Sequence, residues 1–261
     1  MFDNHMHSNF SADCEAPMKD MIEAGIKRGV KELSFTEHID YDYPDPTIHF
    51  DVNLDQYEQK IREMQQTYGK QITIQKGIEL GFQPHLTARY QQLLQEHSFD
   101  FIIGSMHTTD HKDLHSGRLF EGQSLNEAYE KYYTELYECA KAFDQFSILG
   151  HIDLVTRYKY EPGVYHFHDV IEEIFKVIIP RGQGIEINTS GYKYGMDRVH
   201  PTRDILQLYY DMGGEIITVG SDAHKPERVA DHIESSYELL RDVGFNYVTT
   251  FEQQKPQFHK L

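Results

Sequence analysis

Nine side chains of the kinds that bind metal ions are scattered along the chain: His5, His7, Asp13, His38, Glu79, His107, His151, Asp222 and His224. They stand at the ends of separate short hydrophobic runs. Compact metal motifs such as zinc fingers gather their ligands in one stretch. Ligands delivered one or two at a time by strand ends require the whole fold to assemble the site, as at the mouth of an α/β barrel. The pattern points to a metalloenzyme and away from a metal-stapled structural module. Imidazole and carboxylate donors without thiolate suit Zn²⁺, Fe or Mn²⁺ and leave the metal undetermined. Cys14, beside Asp13, reads as a small packed residue rather than a ligand.

A lone His-x-His pair is a weak motif in a chain with 16 histidines. His5-Met6-His7 gains weight because it leaves a strand end, where alternate residues share a face. His166-Phe167-His168 opens a helical stripe with no acidic motif around it, and reads as structural or surface. Five further segments share one layout, an apolar strand followed by a ligand-type residue: Thr36-Glu37-His38, Gly77-Ile78-Glu79, Gly104-Ser105-Met106-His107, Gly150-His151-Ile152-Asp153 and Gly220-Ser221-Asp222-Ala223-His224. Any one of them could be a capped strand end; together with His5-x-His7 they describe a site.

The elements that must position these residues alternate in type. Strands are expected into His5, through Leu33–Thr36, Ile72–Ile78, Phe101–Ile103, Ser147–Leu149, Ile185–Ile187 and Ile216–Val219. Ser124-Leu125-Asn126-Glu127 is a capping box that should open a helix to about Phe143. Phe167, Val170, Ile171, Ile174, Phe175 and Ile178 form one helical face, stopped near Pro180, and Leu54, Tyr57, Ile61 and Met64 form another. Such alternation predicts parallel strands with helical crossovers. Residues 108–123 and 189–200 read as long loops that cover the substrate. No linker or repeat divides the chain, so residues 1–261 are expected to form a single domain.

With 261 residues, 39% of them hydrophobic, the chain can bury one sizeable core. A formal net charge of −17 argues against nucleic acid and against an anionic membrane surface. Two cysteines make no disulfide framework, and no signal peptide or membrane span is read, so a cytoplasmic location is expected.

In this order the motifs resemble the PHP (polymerase and histidinol phosphatase) superfamily: His5-x-His7 with Asp13, then Glu37-His38, Gly77-Ile78-Glu79, Ser105-Met106-His107, Gly150-His151 and Ser221-Asp222-Ala223-His224. Phe35-Thr36-Glu37-His38, Gly150-His151-Ile152-Asp153-Leu154 and Asn188-Thr189-Ser190-Gly191 are similar to its histidinol-phosphate phosphatase branch. The resemblance covers about residues 3–226. It implies a distorted (β/α)7 TIM-like barrel with a site for three divalent metal ions at the C-terminal strand ends. By carry-over, His5, His7, Glu79 and Asp222 take one ion, and Glu79, His107 and His151 a second, with Glu79 bridging. Asp13, His38 and His224 take the third. The implied activity is hydrolysis of L-histidinol phosphate in histidine biosynthesis, by a hydroxide that the metals generate near neutral pH. Glu79, Asp13, His38 and Asp222 are its catalytic ligands.

Arg157, six residues past His151, is expected to clamp the phosphate, a role the resemblance supports. Lys193 and then Arg198 are the choices for a second basic residue, and His200 is a candidate acid for the leaving alkoxide. The partner is a small-molecule phosphate ester; the oligomeric state is left open. Competing readings are a PHP phosphoesterase acting on another small phosphate, a nucleotide or a phosphotyrosine protein, or a metal-dependent amidohydrolase, which would typically use a bridging Lys. A metal-binding protein without turnover is disfavoured by the complete ligand set.

Overall fold

The computed structural model of the chain describes residues 1–160 and 167–261. In chain order the strands are β1 (Phe2–Met6), β2 (Glu32–Ile39), β3 (Thr73–Gly81), β4 (Phe101–Ser105), β5 (Thr108–Thr109), β6 (Lys112–Asp113), β7 (Ile148–Leu149), β8 (Gly184–Asn188), β9 (Ile217–Gly220), β10 (Tyr247–Glu252) and β11 (Lys255–Lys260). Seven of them pair in parallel in the order β1-β2-β3-β4-β7-β8-β9. The sheet curls until its two edges meet. Asn4 Nδ2 donates to the Val219 carbonyl at 3.1 Å, the Asp222 amide to the His5 carbonyl at 2.7 Å, and the His7 amide to the Ala223 carbonyl at 3.0 Å. A Cβ on Gly220 would stand 2.3 Å from His5 Cβ, so only glycine lets the last strand come this close to the first. The result is the expected seven-stranded, TIM-like α/β barrel.

The helices pack their apolar stripes outside the barrel. Asn53 caps Leu54–Tyr68, which buries Tyr57, Ile61 and Met64. The capping box of Ser124 and Glu127 opens Leu125–Ala142, as the spacing predicts. His168–Ile178 buries Ile171, Ile174, Phe175 and Ile178 before a 3₁₀ turn that contains Pro180.

The structure departs from the sequence reading in four places. Glu37, His38 and Glu79 lie inside β2 and β3 rather than beyond them, because a parallel ladder covered on both faces continues past the apolar run. The 108–123 stretch holds the β5–β6 hairpin and a 3₁₀ turn, Arg118–Phe120. The 189–200 stretch holds a 3₁₀ turn, Thr189–Gly191, and its end pairs back on β8 through Asn188 and His200 at 2.7 and 2.8 Å. The β10–β11 hairpin was not expected at all. It closes the N-terminal end of the barrel, where Phe251 stacks on Phe101 at 5.1 Å in a cluster with Ile103, Ile148 and Ile216. In the second His-x-His pair, half-buried His168 faces Asp204 at 2.8 Å, in keeping with a surface role, and His166 lies outside the described residues.

Candidate metal centre

Parallel strands all end at the same side of the barrel, so their last residues converge. Glu79 is the meeting point. Its Oε2 lies 3.2 Å from His5 Nε2, 3.5 Å from His7 Nε2 and 3.1 Å from His38 Nδ1. Its Oε1 lies 3.1 Å from His151 Nε2 and 3.3 Å from His107 Nε2. The register of β2 on β3 sets His38 directly beside Glu79. Asp222 Oδ1 stands 3.5 Å from His7 Nε2 and 3.5 Å from His224 Nδ1. Asp13 Oδ2 stands 3.1 Å from His224 Nε2 and 3.7 Å from His38 Nε2. All nine side chains singled out in the sequence are thus brought together.

The cluster suits cations. His7 Nε2 is buried with no hydrogen-bond partner among the described residues, although two carboxylate oxygens stand 3.5 Å away. Such an atom is costly unless something else engages it. Burial, with His38 and His224 nearby, pushes the His7 imidazole down to about 3, leaving a free lone pair at neutral pH. Donor atoms within 4.8 Å of one another form three groups: His5–His7–Asp222, His38–Glu79–His107 and His7–His38–His224. The last has His7 where the carry-over has Asp13, since Asp13 sits on an exposed loop at the edge of the cluster.

Burial opposes charge on Glu79 and Asp222, but the surrounding imidazoles outweigh it and hold both carboxyls well below their usual range. Burial likewise opposes charge on His5 and His107, and their carboxylate neighbours outweigh it and raise both well above the ordinary histidine value. Protons therefore occupy part of the ligand set when cations do not, and cation binding must release them.

The far nitrogens of the ligands are also held. Glu186 faces His5 Nδ1 at 3.0 Å, Asp40 faces His107 Nδ1 at 2.6 Å, and Ser11 Oγ faces His7 Nδ1 at 3.0 Å. Ser11 in turn donates to the buried Glu37 at 2.6 Å. Asn188 Nδ2 donates to Glu186 at 3.0 Å. Carboxylate partners of this kind fix the tautomer and aim Nε2 at the metal. None of these supporting roles was read from the sequence. Two had a signal: Glu186 is a lone acid between isoleucines in an apolar strand, and Asp40 shares a strand face with His38. Ser11 and Asn188 had none. Asp3 was also missed; it ties β1 to the Asp222 segment by accepting from the Ser221 amide at 2.8 Å and hydroxyl at 2.6 Å.

Above the cluster lies a cavity of about 840 Å³, lined by Asp13, His38, His107, His151, Asp222 and His224, and also by Arg157 and Lys193. Arg157 is buried on the short helix Val155–Tyr158 and donates to Ser190 Oγ at 2.5 Å, while Ser190 Oγ donates to Asp222 Oδ2 at 3.0 Å. Arg157 and Lys193 both approach the ring of Tyr194, at 4.4 and 5.0 Å. Arg198 does not line this cavity. Its guanidinium is taken by Asp153 at 3.0 Å and Thr156 at 2.6 Å. His200 is equally remote: it is buried against Asp153 at 2.5 Å, and burial pushes its imidazole down to about 4, so at neutral pH it is not the imidazolium that could act as an acid. Cys14 is packed, its thiol on the His224 carbonyl at 3.2 Å and pushed up to about 11 by burial.

The chain is similar along its length to histidinol-phosphatases. It is 30% identical over 259 residues to the histidinol-phosphatase of Lactococcus lactis subsp. lactis (strain IL1403), covering 97% of this chain and 95% of that one. It is 27% identical to a probable histidinol-phosphatase of Clostridium acetobutylicum, covering 95% and 96%. The crystal structure of the Lactococcus lactis histidinol phosphate phosphatase, complexed with zinc, L-histidinol and phosphate, superposes with a TM-score of 0.87 over 98% of each chain, at 27% identity. The family model of the PHP domain matches residues 3–190, and the chain belongs to the PHP domain family.

Proposed function

We propose that this protein is a metal-dependent phosphomonoesterase that hydrolyses L-histidinol phosphate to L-histidinol and phosphate, a step of histidine biosynthesis. The observation that carries this reading is the placement of Glu79 at the centre of an imidazole–carboxylate cluster, with Arg157 beside it at the cavity wall. Full-length similarity to histidinol-phosphatases names the substrate. Divalent ions bound in such a cluster activate water and neutralise the phosphoryl charge.

In this reading three ions are held, one by His5, His7, Asp222 and Glu79, one by Glu79, His107 and His151, and one by Asp13, His38 and His224. Glu79 presents one oxygen to each of the first two sets. Arg157 grips two phosphoryl oxygens through its fork of N–H groups, and Lys193 adds a second positive charge. Catalysis rests on positioning and electrostatics, as is usual for phosphoryl transfer, without a side-chain nucleophile. Tyr43, Ile48, Phe50 and Tyr158 line the same cavity and offer flat apolar surface to an imidazole ring. A carboxylate at the centre, where an amidohydrolase typically carries a lysine, weighs against amide hydrolysis. Zinc is favoured by the zinc-bound Lactococcus structure. Two free, buried cysteines fit a cytoplasmic setting, and among the described residues no helix is long and apolar enough to cross a membrane.

The test is phosphate release by metal-reconstituted protein from L-histidinol phosphate, p-nitrophenyl phosphate, a dinucleotide and a phosphotyrosyl peptide. A kcat/KM for histidinol phosphate at least about a thousandfold above the others is expected. A flat profile would remove the substrate and leave the chemistry.

A further inference from the structure

Asp40 is buried at the end of β2's run, two residues past His38, and each of its oxygens faces a different ligand. Oδ1 accepts from His107 Nδ1 at 2.6 Å, the shortest of the histidine–carboxylate contacts around the cluster, and Oδ2 stands 3.4 Å from His38 Nδ1. His107 and His38 belong to different metal sets in the reading above, on which this inference rests. A Cβ built on Gly81 would fall 1.9 Å from Asp40 Oδ1 and 2.4 Å from its Cγ, and its three nearest atoms all belong to the Asp40 side chain. This carboxylate fills the space that a side chain at position 81 would need.

We propose that Asp40 is a positioning residue that locks His107 and His38 together, coupling two metal positions through one buried carboxylate, and that Gly81 is the space it occupies. Glu186 faces the His5 ring and accepts from the His151 amide at 2.8 Å. Among the described residues, Asp40 is the supporting acid whose two oxygens face two different ligand rings. With it in place, His107 directs Nε2 to Glu79 Oε1, while His38 directs Nε2 toward Asp13. Without it, His107 is free to turn about χ2 and to present the wrong nitrogen, and His38 Nδ1 keeps only Glu79 Oε2 beside it, at 3.1 Å.

The arrangement yields a cycle of variants. Asp40→Ala removes the carboxylate. Gly81→Ala keeps it but drives it from its position. In Asp40→Ala/Gly81→Ala the two closest clashes are gone and the next, the Cβ at position 40, stands 3.1 Å away and must yield by a few tenths of an ångström. Metal bound per chain is measured for each protein across a graded chelator series with Zn²⁺, and melting of the metal-free forms is followed in parallel. We expect both single variants to lose about 10–100-fold in affinity for part of the metal complement. The share held by His5, His7 and Asp222 should persist, and the double variant should be no worse than Asp40→Ala. Asp40→Asn, whose carbonyl can still accept from His107, should recover most of the loss and serves as the reference if the alanine variants fail to fold. Wild-type affinity in Asp40→Ala, or additive losses in the double variant, would overturn the role of Asp40 while leaving the metal reading intact. Failure of the wild type to bind zinc would overturn both.

Discussion

At the C-terminal mouth of the barrel the inward positions are His5, His38, Glu79 and Asp222; at the other end Phe101, Ile103, Ile148, Ile216 and Phe251 fill the space. The mouth gathers buried charges, which are expensive to desolvate and are offset only by one another and by supporting partners such as Glu186 and Asp40. The opposite end is packed with aromatic and aliphatic side chains and closed by a hairpin that brings no chemistry. One set of strands thus keeps its sources of stability and of reactivity apart. Substitutions at the mouth should move function more than stability, and substitutions at the closed end should do the reverse.

Glu79→Gln should have the largest effect. Its two oxygens serve five imidazoles, so kcat is expected to fall by at least about a thousandfold, beyond the roughly 10–100-fold that loss of a supporting partner costs. Phosphate-release kinetics check this, and melting of the metal-free variant should show it folded. Phe251→Ala is the counterpart at the closed end. Loss of the stack on Phe101 should cost about 3–5 kcal/mol in denaturant unfolding, with kcat/KM unchanged where the protein is folded. A drop in kcat/KM under those conditions would mean that the two ends are coupled.

Arg157→Ala separates substrate binding from metal binding within the mouth. Loss of charge-assisted bonds to phosphate should raise KM about 10–100-fold with metal content unchanged; unchanged kinetics would remove Arg157 from the site. The smallest effect is expected at Glu32, which opens β2 at the closed end. Burial lifts its carboxyl to about 7, against hydrogen bonds from Thr250 and Gln75. A carboxyl with a raised folded-state pKa binds more protons folded than unfolded. Its contribution therefore favours folding at low pH and declines as pH rises from about 4.5 to about 7. Glu32→Gln should raise Tm by about 2–4 °C at pH 8 and leave it near wild type at pH 4. An equal shift at both values would exclude titration as the cause.

The residues of the cluster were legible in the sequence because strand ends announce themselves: an apolar run stops and a histidine or acid follows. Helices with capping boxes and clean stripes, such as Leu125–Ala142, were legible for the same local reason. The terminal hairpin was not. Its turn is Gln253-Gln254, both at positive φ (49° and 60°), a conformation that Asn-Gly or Asp-Gly would have advertised and glutamine does not. Arg198 and His200 were legible as polar loop residues but not as partners of Asp153, because that pairing depends on how the 189–200 segment folds back on β8. Supporting residues such as Ser11 and Asn188 are invisible for a related reason: a hydroxyl or amide acquires a role only from what stands 3 Å away.

The seam between β1 and β9 has a consequence for how the protein is made. Asn4 and Val219 are hydrogen-bonded partners 215 residues apart in the chain. His5 and His7 leave the ribosome early, yet Asp222 and His224 emerge only after the other barrel strands have been synthesised. A nascent chain carrying the first histidines can bind a stray ion, but it cannot complete the cluster. The cluster is therefore complete only once the barrel has shut.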